Sequence, residues 1–242
     1  MEEFFENEPS ITWAAIGIGS WNLVVTILAK DAEEFHKTST KLFNQCENLN
    51  SHANFIATEA YTLPNQYLYQ DIPEKLQKTT YLSQKDDPMD FEEDDIKILR
   101  ELSENARITN TELSQKLDLK IGKISYRIGK LEKEGVIQAY KPMLNVQKLG
   151  RHTHIILLKI NYKNQEQEKE LLDHIQSLKC TKYIEKGIGR WDLAVALHQK
   201  NMAHFNQIIN NLREKFKQTI NMFETMLILK EYKCHFIPKH AS

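Results

Sequence analysis

A chain of 242 residues, 41% apolar and with a formal net charge of −1, has room for two small domains and a fragment of a third with ordinary cores. No apolar run is long enough to span a bilayer, and the opening MEEFFENEPS carries acids where a secretion signal needs bases, so neither membrane insertion nor export is expected and a cytoplasmic protein is. Three cysteines, Cys46, Cys180 and Cys234, lack C-x-x-C spacing and read as free thiols rather than as a disulfide framework or a structural zinc site.

The first third is acidic, with 16 acids, 6 lysines and no arginine in residues 1–93. Such a segment is a poor DNA binder and serves more simply as a solubilising surface. Within it, residues 12–69 suggest strand, strand, helix, strand, with the motif GIGSWNL at Gly17 to Leu23. From Pro64 to Asp90, Pro64, Pro73 and Pro88 accompany few apolar residues, which predicts a linker with one helical turn over 74–82.

Three short helices follow. In DDIKILRELSENARI, Ile96, Leu99 and Leu102 recur at helical spacing opposite Asp95, Lys97, Arg100 and Glu101. Thr109 and Glu112 stand three residues apart, so each can satisfy the other's backbone N–H, and this predicts a second helix over 110–117. In KIGKISYRIGKLEKEG, Ile121, Ile124, Ile128 and Leu131 share one face, and Gly135 supplies the left-handed stop. Residues 120–133 carry five bases and one acid, a charge that attracts phosphate. Lys123, Tyr126 and Arg127 are the candidates for contacts at or near base edges. Lys120, Lys130 and Lys133 suit phosphates, and Gly122 permits close approach of the helix backbone to a duplex. An apolar strand is expected over 136–141.

This run, with its D-x-x-I-L opening, the start N-T-E-L-S and the ending R-I-x-x-L-E-x-E-G-V-I, resembles the winged helix-turn-helix domain of the Lrp/AsnC (leucine-responsive regulator) family of bacterial and archaeal transcription factors. The resemblance implies that residues 121–133 form the recognition helix of a sequence-specific regulator that binds double-stranded DNA.

Beyond it, HTHIILLKINY, CTKYIEKGIG, RWDLAVALHQ and INMFETMLILKEY read as strands, with EQEKELLDHIQSL and MAHFNQIINNLREKF as helices. The order βαββαβ is a ferredoxin-like sandwich. After a winged helix it resembles the family's RAM domain, which implies a homodimer or higher homo-oligomer and a small effector, often an amino acid. GIGRWDL at Gly187 to Leu193 repeats GIGSWNL 170 residues earlier, and the same offset aligns Val25 with Val195, Phe35 with Phe205 and Leu42 with Leu212. The first copy lacks an opening strand and helix. Either it docks on another such surface, in this chain or a partner, or it is the remnant of a truncated tandem.

The fold class expected is therefore α+β: a partial ferredoxin-like unit (1–70), a linker (71–90), a winged helix-turn-helix (91–142) and a RAM-like sandwich (143–242). Gly187, Gly189 and Asp192 occupy the places that the resemblance associates with the effector pocket. Asp192 could accept from an amino group, or equally cap its turn or pair with a lysine. A nucleotide-loop reading of GIG fails for want of a third glycine and a following helix. His152 and His154 share a strand face but no third ligand, so an exposed pair is expected rather than a metal site. No nucleophile, carboxylate pair or phosphate loop emerges, and neither an enzyme nor a cofactor is expected. Two other readings remain open: a sirohaem-decarboxylase-like enzyme, whose family shares this architecture, and a protein-only co-regulator.

Overall fold

The computed structural model describes residues 1–69, 71, 79–83, 91–161 and 165–234. In chain order the elements are α1 (Glu2–Asn7), β1 (Ile11–Gly19), β2 (Leu23–Ile27), α2 (Ala32–Phe43), β3 (Phe55–Thr62), a 3-10 turn (Gln66–Leu68) and β4 (Thr80–Ser83). They continue with α3 (Glu93–Glu104), α4 (Asn110–Leu117), α5 (Ile121–Lys133), β5 (His152–Ile160), α6 (Gln165–Ser177), β6 (Thr181–Gly189), β7 (Leu193–Gln199), α7 (Met202–Lys215) and β8 (Ile220–Cys234). Among these no helix is long and apolar enough to cross a membrane.

The four C-terminal strands take the order β8-β5-β7-β6, all antiparallel, which is the ferredoxin-like arrangement. Alternation along β5 explains its burial on both sides. Ile156, Leu158 and Ile160 face the core under α6 and α7 with Leu171, Ile175, Phe205 and Leu212, whereas Ile155 and Leu157 face a second core.

That second core contains Ala15, Trp191, Met226 and Ile228, with Trp13, Trp21, Val24 and Phe55 packed around it. Both copies of the repeat contribute to it, because the N-terminal strands join the same sheet. β1 pairs with β8, β3 pairs with β6, and the full order is β2-β1-β8-β5-β7-β6-β3-β4. Of the two arrangements left open for the first copy, docking within the chain is the one observed. The duplication extends to helix starts. Asp31 caps α2 by accepting from the Glu34 N–H at 2.8 Å, and Asn201 caps α7 from the His204 N–H at 2.9 Å.

One element goes beyond the local expectations, and two of those expectations are corrected. The six-residue α1 was not anticipated; it is held by buried Phe5 and by the Lys233 ammonium, which donates to the carbonyls of Phe5 and Glu8 at 2.8 Å each. Residues 136–141 do not form a strand. Instead the Gln138 side chain bonds the Tyr81 backbone, accepting from its N–H at 2.8 Å and donating to its carbonyl, while the Lys141 ammonium reaches the Thr62 carbonyl and Thr80 Oγ1 at 3.2 Å. These bonds tie the helical unit to the end of the sheet. Within the helical turn expected over 74–82, residues 80–82 belong to β4 and 79 precedes it; 74–78 lie outside the described residues.

The histidine pair also divides. His152 is exposed, but His154 is buried, its ring stacked on Phe205 at 4.0 Å between centroids, with no hydrogen-bond partner at either nitrogen. Burial, reinforced by His152, pushes its pKa down to about 4; burial with Lys182 and Arg151 does the same to His198, whose Nδ1 lies 3.0 Å from the Tyr67 hydroxyl. Unfolding restores ordinary values near 6.5, so the unfolded chain takes up protons that the folded chain refuses. Stability should therefore be full above about pH 6.5 and fall as pH drops toward 4. The urea midpoint is expected to be lower at pH 5 than at pH 7, and His154→Phe should shrink that difference; an unchanged difference would remove His154 from the account.

Candidate nucleic-acid interface

α3, α4 and α5 close around Ile98, Leu113 and Ile124, all fully buried, with Leu102, Ile108, Leu117, Leu119 and Ile128 packed against them. Thr109 and Glu112 form the expected reciprocal cap: Glu112 N–H to Thr109 Oγ1 is 3.2 Å, and Thr109 N–H to Glu112 Oε2 is 2.8 Å. Glu92 and Asp95 cap α3 in the same way. Gly135, at φ 75°, ends α5 as the left-handed residue anticipated. This frame leaves one side of α5 in solvent.

The outward stripe of α5 is Gly122, Tyr126, Gly129 and Lys133, spaced four, three and four residues apart. Tyr126 is 71% exposed, and nothing lies within 4 Å of a Cβ built on either glycine. Helix-interior glycine costs about 1 kcal/mol relative to alanine, and no neighbour among the described residues requires it at Gly129. The stripe is thus a low-relief surface with one projecting aromatic ring, suited to close approach by a large external partner. Lys120 at the helix start and Lys133 are exposed, and no carboxylate pairs with either among the described residues. Lys130 is half-buried, 4.0 Å from Glu134.

Two candidates are engaged within the chain. Lys123, still exposed, pairs with Asp94, and the ammonium holds that carboxyl below the usual carboxylate range against a smaller opposing effect of burial. Arg127 is corrected outright, because only 7% of it is exposed. Its Nη1 donates to both Asp95 oxygens at 3.0 Å and its Nη2 pairs with Glu92. It ties α5 to the start of α3, with its guanidinium turned inward to Asp95 and Glu92 instead of outward with Tyr126. Ser125 and Gly129, not selected from the sequence, complete the exposed side; helical spacing from Gly122 and Tyr126 would have found Gly129.

A model described as winged helix-turn-helix DNA-binding matches residues 93–138. An HTH-type transcriptional regulator of Pyrococcus abyssi is 31% identical over 144 residues, 59% of this chain and 95% of that protein. The chain belongs to the Lrp/AsnC family of HTH-type transcriptional regulators. The leucine-responsive regulatory protein of Rhizobium meliloti is 28% identical over 142 residues, 57% of this chain and 89% of its own length. A Neisseria meningitidis transcriptional regulator, solved in complex with L-Met, shares the fold at TM-score 0.53 and 21% identity, over 58% of this chain and 91% of that one.

The residues expected at an effector pocket lie in the sheet, away from this Lrp/AsnC-type reader, and each has a role inside the chain. A Cβ on Gly187 would stand 2.0 Å from the Ile56 carbonyl oxygen, and one on Gly189, at φ 139°, 2.3 Å from that of Asn54, so both glycines let β3 lie against β6. Asp192 is 4% exposed, and each of its carboxylate oxygens has a partner, accepting from the Ile160 N–H and the Lys159 ammonium at 2.8 Å each. Of the roles open to it, its carboxylate takes the pair with a lysine and anchors β5. Beside it stands a second polar cluster. Glu224 accepts from Trp21 Nε1 at 2.6 Å, Trp191 Nε1 at 3.0 Å and Arg190 Nη2 at 2.8 Å, and the two indoles meet edge to face at 5.4 Å.

Proposed function

We propose that this Lrp/AsnC-type regulator reads specific DNA sequences through the outward stripe of α5, senses a small metabolite of the amino-acid class, and acts in the cytoplasm without catalysing a reaction. The observation that carries the DNA reading is the conjunction of Gly122, Tyr126, Gly129 and Lys133 on the solvent side of a basic helix whose other side is locked to α3 and α4. Lys120, Lys130 and Lys133 hold phosphates and Lys123 joins them when its pair with Asp94 opens; Tyr126 meets the groove, and Gly122 and Gly129 let the helix backbone come close.

Gel retardation on the DNA upstream of its own gene, across a salt series, tests this. Lys120→Ala and Lys133→Ala should each flatten the slope of log affinity against log salt by about one unit. Tyr126→Ala should weaken specific sites while sparing non-specific binding. Gly129→Ala should stabilise the helix by about 1 kcal/mol yet bind DNA less tightly. Unchanged retention in all four would place the interface elsewhere.

Metabolite sensing is supported by the Neisseria relative's complex with L-Met. The turn over 187–192 is its proposed location, with the half-exposed Arg190 guanidinium suited to an amino acid's carboxylate. Calorimetry with the common amino acids, repeated on Arg190→Ala, tests it. A coloured protein with tetrapyrrole absorption would favour the sirohaem-decarboxylase-like alternative, and co-purification with weak DNA affinity would favour the co-regulator.

A further inference from the structure

Two contacts in this fold are one contact made twice. β1 lies along β8 with Gly17 and Gly19 beneath the Leu227 and Thr225 carbonyls, and β3 lies along β6 with Gly187 and Gly189 beneath those of Ile56 and Asn54. Cβ atoms built on the four glycines would stand 2.1, 2.3, 2.0 and 2.3 Å from the facing oxygens. Exchanging the copies converts one contact into the other, since the glycines correspond at an offset of 170 residues and the carbonyls at 171. The hydrogen bonds follow suit: Ser20 N–H to the Thr225 carbonyl at 2.9 Å, and Arg190 N–H to that of Asn54 at 3.2 Å.

Self-complementary pairing of this kind is the geometry of a two-fold dimer, here closed inside one polypeptide. It leaves the complete sandwich without a free edge, because β1 covers β8 and β3 covers β6. The covering copy has also lost the charges that a symmetric pairing would double. Ser20 stands in the place of Arg190, Asn22 in that of Asp192 and Ala53 in that of Glu224, so a single carboxylate serves both indoles. Two facing copies of Glu224 would repel each other across the axis.

We infer that the N-terminal ββαβ unit is a tethered substitute for a partner subunit: it fills in cis the surface through which two C-terminal sandwiches would pair, making the chain a monomer with one recognition helix. This replaces the homo-oligomer expected from the resemblance, and it stands or falls independently of what α5 binds.

Light scattering of the full chain from 1 to 100 µM should return one mass, 28.4 kDa. Ile56 and Ile188 are directly opposed across β3 and β6 and both exposed, so an oxidised Ile56→Cys/Ile188→Cys chain should cross-link within itself and run as a monomer at every concentration. Gly17→Val with Gly19→Val drives side chains into the Leu227 and Thr225 carbonyls and detaches β1, so that the bared β8 of one chain can displace β3 from Gly187 and Gly189 of a second. Its mass should double, and adding Gly187→Val should restore the monomer. A wild-type dimer, a cross-link between chains, or a folded valine variant that stays monomeric at 100 µM would each overturn the inference. Should the valine variant lose its circular dichroism signature, the wild-type mass and the cross-link decide.

Discussion

Arg127→Ala is expected to abolish DNA binding by unfolding the helix-turn-helix unit, with no lost base contact involved. The guanidinium is the only cation that reaches Asp95 among the described residues, and Asp95 is itself 2% exposed. Removing one member of a covered ion pair strands the other, at a cost of about 3 kcal/mol, the low end of the usual range because Glu92 keeps one side of this pair near solvent. Native-state hydrogen exchange should show α3 and α5 opening together in the variant while β5 and β8 keep their protection. The compensating change separates this account from a reading role. Arg127→Met combined with Asp95→Leu removes both charges and should restore much of the stability, and with it the salt-dependent retention of DNA. If the double variant folds but leaves DNA alone, Arg127 does more than hold two helices together.

Glu224→Ala should carry the second large effect, at the junction of the two copies. It leaves the Trp21 and Trp191 N–H groups and the Arg190 guanidinium without their shared acceptor, at about 1–3 kcal/mol. Tryptophan emission should shift to the red and the urea midpoint should fall. Burial alone would raise the Glu224 carboxyl, but hydrogen bonds from Arg190, Trp21 and Trp191 outweigh it and hold the pKa below its ordinary range. A lowered carboxylate stabilises the fold above its unfolded pKa and loses that contribution as pH falls through the folded one. The wild type should therefore lose stability under acid relative to Glu224→Gln, which has no such proton to gain. An identical acid profile in the two chains would remove the ionised form from the explanation.

The helix-turn-helix was legible because its signals are local. A reciprocal cap at Thr109 and Glu112, apolar residues at helical spacing and a glycine stop each act within a few residues. The C-terminal sandwich was legible for the same reason, since its strands and helices follow each other in the order in which they pack. What escaped was long-range. Arg127 shares the inner face with Ile124 and Leu131, three residues before it and four after, so the helical period itself pointed inward. Its charge drew attention outward, and the explanation lay in the acids at 92–95. Asp192 read equally as a ligand contact, a turn cap or a lysine's partner, and only the placement of β5 brings Lys159 and the Ile160 N–H to it. The strand expected over 136–141 had the right residues but found Tyr81 through a glutamine side chain in place of a backbone ladder. Joining eight strands into one sheet depends on register between strands far apart in the chain, as Gly19 with Met226 and Thr62 with Tyr183, which no local pattern encodes.

The lone carboxylate between two indoles has an evolutionary consequence. In an ordinary symmetric dimer every substitution at the seam appears twice, so any charge placed near the axis meets its own image. Once both sides are written at separate positions of a single gene, each can drift alone, and an acid can persist on one side because its counterpart has become alanine. The seam is thereby released from self-compatibility and can specialise as an enzyme cleft does, one wall at a time.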